Sequence, residues 1–241
     1  MMEKFKRLSK IEGTILVDYI FRPWVENATN TGLGGGLVVE GRLSSPKHWV
    51  ALWQAITPPL TLEEVGRESQ TGTSRGVIAT WRLEKDFRAL ADTAAQAFAD
   101  HMGKEIVKAT FWGDDIRCLL LNSLWVRLPG FNIANNPLMQ EINNSAKDLK
   151  KNLTRRKIMR LYHLLATFRD ALRFSHENLK PTKYQEIEQK AHNVISPVLE
   201  LFETKVKKAQ EADLVDEKLA AGLLNMIVSI EFLCSYSRVV V

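Results

Sequence analysis

The chain has 241 residues, 45% hydrophobic and 25% charged, with 33 Lys and Arg against 28 Asp and Glu. Those proportions are ordinary for a globular protein and exclude collagen, coiled-coil rods and wholesale disorder. Two cysteines, Cys118 and Cys234, cannot build a disulfide framework, and no window long enough to span a bilayer is free of charge. The opening MMEKFKRLSKIEG is basic but lacks an apolar stretch and a small-residue cleavage site, so a cytoplasmic protein with reduced thiols and no membrane attachment is expected.

Composition changes along the chain. All six tryptophans precede residue 130, and 131–241 carries 17 basic against 13 acidic side chains where 1–130 carries 16 against 15. Between the halves, Leu128 to Pro137 has turn formers at both ends and no apolar period, which reads as a linker. The expected organisation is an α+β domain over 1–134 and a helical domain over 135–241.

In chain order, Ile15, Val17, Tyr19 and Phe21 alternate with more polar residues and predict a strand. Gly32 to Gly36 is followed by a second strand, Leu37–Leu43, and not by a helix, so it reads as a mobile loop and not a dinucleotide cradle. Ser45 and Pro46 open a helix carrying Trp49, Leu52, Trp53 and Ile56 on one face, and Thr61 to Glu64 is a capping box for a shorter one. Val77, Ala79, Trp81 and Leu83 predict another strand, and Phe87, Leu90, Ala91, Ala94 and Phe98 another helix. Lys104–Trp112 and Ile116–Leu121 then predict a strand pair joined at Gly113-Asp114-Asp115, completing a mixed or antiparallel sheet of about five strands.

Beyond Pro137 helical periodicity takes over, over 145–178, 182–210 and 214–236, which predicts a bundle of about three long helices. Ser145 is the expected cap of the first, Thr182 with Gln185 forms a capping box for the second, and Pro197 is expected to kink or divide it. The last stretch, Leu219 to Cys234, is so apolar that a protein partner or self-association is expected to cover part of it.

The window 145–173 holds nine basic residues and two acidic ones. On one continuous helix, Lys151, Arg155, Tyr162, Arg169 and Arg173 would share the face opposite the leucines, in a stripe of about 33 Å. Such a stripe suits phosphate contacts with RNA or a single strand, in which counterion release gives affinity without sequence reading. The candidate nucleic-acid-binding residues are therefore Lys147, Lys150, Lys151, Arg155, Arg156, Tyr162, Arg169 and Arg173, with Tyr162 offering a ring for an unpaired base. The function expected is nucleic-acid binding within a larger complex; an enzyme is the competing class, and a scaffold docking an acidic protein is a third reading.

Arg169 and His176 lie seven apart, on one helix face, with a polar residue after the Arg. This resembles the Arg-to-His signature of HEPN ribonucleases and covers only the second half of the chain. The resemblance implies a metal-independent dimeric ribonuclease in which His176 acts on the 2′-hydroxyl or leaving oxygen and Arg169 stabilises the phosphorane. The same spacing class also includes Arg42 with His48 and Arg156 with His163, and Asp170 stands where Asn is more usual. Gly113-Asp-Asp has the form of a metal-binding hairpin but also of simple turn chemistry. No Walker loop, C-x-x-C or H-E-x-x-H spacing occurs, so no cofactor or metal is expected.

Overall fold

A computed structural model describes residues 85–128 and 130–235, with side chains from Ala95 onward. These residues form six helices: α1 Lys85–Trp112, α2 Asp115–Trp125, α3 Pro137–Lys151, α4 Arg155–Asn178, α5 Pro181–Glu211 and α6 Glu217–Leu233. Their contacts fall in two compact units, with a boundary inside α1; the larger unit comprises 103–127 and the chain from Phe131 on. The strands expected over 15–21, 37–43 and 77–83, the glycine loop and the helices after Ser45 and Thr61 lie outside the described residues.

The α+β reading is overturned where it can be compared, because no strand occurs among the described residues. Lys104–Trp112 is the end of α1 and Ile116–Leu121 lies in the first half of α2. The buried residues Phe98, Met102, Ile106 and Ala109 recur every three to four positions, so burial follows the helical period despite the β-branched and aromatic content. The supposed hairpin is a helix stop followed by a helix start. Gly113 takes φ +68°, its N–H donates to Thr110 O and that of Asp114 to Ala109 O, which is a Schellman closure. The Asp114 carboxylate then caps α2 by accepting from Arg117 N at 2.9 Å.

The second half contains four helices, not three. Asn136, its side chain accepting from Met139 N at 2.8 Å, caps α3 with Pro137 at the first position, so the helix begins eight residues before Ser145. Ser145 is buried in mid-helix and its hydroxyl has no hydrogen-bond partner among the described residues. Asn152 ends α3 in extended backbone and Thr154 caps α4, breaking the helix expected over 145–178. At α5 the cap position is Lys180, without a side-chain bond, so the Thr182 capping box does not form. Pro197 lies within α5, which continues through it as one helix of 31 residues and is not divided.

Helix α4 is the hub. It packs against α2, α3, α5 and α6 through Ile158, Leu161, Leu164, Leu165, Phe168 and Leu172, all fully buried. Helix α6 packs on α5 and α4 through Ala220, Leu223, Ile227 and Ile230, while Val228 and Phe232 are more than half exposed. Gly103 admits the start of α3, since a Cβ there would meet Pro137 Cδ at 3.0 Å and Trp125 Cζ2 at 3.1 Å.

A second Schellman closure ends α5, with Asp213 N donating to Gln210 O and Leu214 N to Ala209 O. Here the left-handed residue is Asp213, φ 54°, which bears a steric penalty glycine avoids. Asp213→Gly is expected to raise stability by about 0.5 to 1 kcal/mol, read as a higher urea midpoint at unchanged m-value.

Candidate nucleic-acid interface

The basic window is divided between two helices, so the single continuous stripe from Lys151 to Arg173 does not exist. Lys147, Lys150 and Lys151 belong to α3 and Arg155, Arg156, Tyr162, Arg169 and Arg173 to α4. The break concentrates charge at the connection. Lys150 and Lys151 occupy the last turn of α3, where cations complement the helix dipole. Arg155, Arg156 and Lys157 occupy the first turn of α4, where they oppose it, and that turn holds no acidic residue. Two ammonium groups also satisfy terminal carbonyls of α3: Lys157 Nζ donates to Asp148 O and Lys205 Nζ to Lys150 O, both at 3.2 Å.

The cations differ in their partners. Arg160 pairs with Glu141 of α3, Arg169 donates to Asp170 Oδ1 at 3.0 Å, and Arg173 lies 3.9 Å from both Asp170 and Glu177. The distal part of α4 is thus partly neutralised. Lys147, Lys150, Lys151, Arg155 and Arg156 are exposed and form no ion pair among the described residues.

The open face of α4 is the floor of a groove of about 1210 Å³, walled by α3 and by the α1–α2 turn. Arg156, Lys157, Arg160, Arg169 and Arg173 line it alongside Asp115, Asp148 and Asp170. Tyr162, half-buried, meets the neighbouring His163 ring edge-on at 5.5 Å, and both line the groove. At its base the hydroxyls of Thr110 and Thr167 lie 3.0 Å apart, each 3.5 Å from Cys118 Sγ. Burial pushes the Cys118 thiol up, against the lowering effect of those two hydroxyls. Burial, with Glu188 and Glu231 nearby, pushes Cys234 up to about 12. A raised thiol disfavours the thiolate that nucleophilic attack requires.

Arg169 and His176 have different surroundings. Arg169 lines the groove and is held by Asp170, whereas His176 lies outside the lining, its ring 5.0 Å from Tyr184 of α5 in an edge-on contact. Two lining residues at the α1–α2 turn, Phe111 and Leu119, lie outside the set of candidates that the sequence offers. Phe111 lies under the Arg160 guanidinium at 4.8 Å, and Leu119 joins it in the groove wall. Their signal was the run Thr110-Phe-Trp-Gly-Asp, two aromatics immediately before a helix stop.

Compared with known proteins, the chain matches no family model, no curated protein and no solved structure. Among the described residues no helix is long and apolar enough to cross a membrane, and no three His, Cys, Asp or Glu side chains gather as a metal site would require.

Proposed function

We propose that this chain binds nucleic acid, RNA or a single strand, through phosphate contacts at the α3–α4 connection, as a cytoplasmic subunit of a larger assembly. The observation that carries the reading is the group of five exposed cations without an ion pair among the described residues, Lys147, Lys150, Lys151, Arg155 and Arg156, at the connection that leads into the N-terminus of α4. Thr154-Arg-Arg-Lys157 has the spacing of a capping box, with Lys where Glu or Gln would reach back to the cap. Every charged choice in that turn is the destabilising one for the helix, and a phosphate seated there would relieve it. Local rules broken in this way are expected at functional positions.

The test is fluorescence anisotropy of a labelled oligonucleotide with the protein and with its Arg155→Glu/Arg156→Glu variant. The protein should bind at low salt and lose about a hundredfold in affinity between 50 and 200 mM salt, as about five phosphate contacts to a single strand require. The variant should lose most of the binding. An affinity that ignores salt, or a variant that binds undiminished, overturns the reading. Retention of an acidic protein in place of any oligonucleotide would assign the same cations to a scaffold.

A further inference from the structure

Six large hydrophobic side chains are exposed among the described residues, and four of them, Phe111, Trp112, Ile116 and Leu119, fall within nine positions at the α1–α2 turn. Trp112 is 85% exposed. An indole so placed contributes little to folding, and clustered exposed apolar groups of this kind mark interaction surfaces. Its chain neighbours Phe111 and Gly113 both line the groove whose floor is α4, so the exposed indole is carried by the turn that walls a surface rich in cations. Phe111 already accepts a guanidinium on its ring, and Arg160 in turn is fixed by Glu141.

We propose that the groove takes an unpaired strand, with a base stacked on Trp112 and the adjoining phosphates turned toward Arg156 and Lys157. The inference rests on the nucleic-acid reading above and specifies its ligand as single-stranded. Aromatic platforms beside a basic channel are how proteins hold single strands without reading sequence, because every base has a stacking face. A duplex keeps its bases inside the stack and could offer the indole only its backbone. The charge in the groove favours this occupant over an apolar protein segment: five cations and three carboxylates line it, and the exposed cations of the α3–α4 connection continue beyond it. The Gly113 closure and the Asp114 cap fix the backbone of the turn that carries the indole.

The experiment measures anisotropy with three labelled probes: an oligothymidylate of about 15 nucleotides, an abasic strand with the same number of phosphates, and a duplex of equal length. The full chain should bind the oligothymidylate about tenfold or more tighter than the abasic strand. Trp112→Ala should erase that difference while leaving the salt dependence unchanged, and Trp112→Phe should restore part of it. Equal binding of the two strands by the unaltered protein overturns stacking, as does a difference that survives Trp112→Ala, and in both cases phosphate binding at the α3–α4 connection stands. If no probe binds at low salt, the nucleic-acid reading fails and this inference with it.

Discussion

Phe168→Ala is expected to lower the unfolding free energy by about 3 to 5 kcal/mol. The ring is fully buried on α4, the helix that touches α2, α3, α5 and α6, so its removal leaves a void in a close-packed core. Against a total stability of about 5 to 15 kcal/mol, such a loss is a large fraction. Urea denaturation followed by circular dichroism measures it, and a cost below about 1 kcal/mol would mean that α4 is not the centre of the core. Trp112→Ala serves as the control. It should change stability by no more than about 0.5 kcal/mol, as expected for a surface substitution.

The second large effect has the opposite sign for folding and for binding. Arg155→Glu with Arg156→Glu should make the protein more stable while removing its affinity for oligonucleotides. Both positions lie in the first turn of α4, where the unsatisfied N–H groups carry partial positive charge and where arginine is repelled but glutamate attracted. Reversing two charges there should contribute about 1 to 2 kcal/mol, or a rise of roughly 2 to 8 °C in melting temperature for a chain of this size. A stabilised variant that no longer binds excludes unfolding as the cause of the loss. A variant that melts earlier would remove the argument that this turn trades helix stability for an anion.

Helix content in the second half was legible because Leu161, Leu164, Phe168 and Leu172 repeat at helical spacing and are buried together. Helix limits were less so, since the signals at them serve more than one structure. Gly113 with positive φ suits a hairpin or a helix stop, and Asp114 suits a turn or a cap. The strand prediction at Lys104–Trp112 followed residue type, whereas tertiary burial selected the period of 3.6. Asn136-Pro137 carries a helix-start signature of the same kind as Ser45-Pro46, but it stands at the end of a segment rich in turn formers, and that composition reads as a linker. The break at Asn152-Leu-Thr154 was hidden because Leu149 and Leu153 keep the apolar spacing across it, and only the Thr154 cap marks it.

The cations themselves were readable from sequence, but their partners were not. Glu141 and Asp170 draw off Arg160, Arg169 and Arg173, and which carboxylates lie opposite depends on how α3 folds back on α4. The exposed indole was invisible for a related reason. An exposed Trp112 and a buried Trp125 are the same letter, and only the packing of α2 separates them.

Because one helix both anchors the core and presents the groove, occupancy and global melting are thermodynamically linked. Any molecule that settles on α4 only when the chain is folded adds about 2.7 kcal/mol at a hundredfold excess over its dissociation constant. A dye-monitored heating scan across a library of homopolymers, nucleotides and acidic peptides would therefore rank ligands without an activity assay, and the compound that shifts the transition furthest would name the natural chemistry of this face.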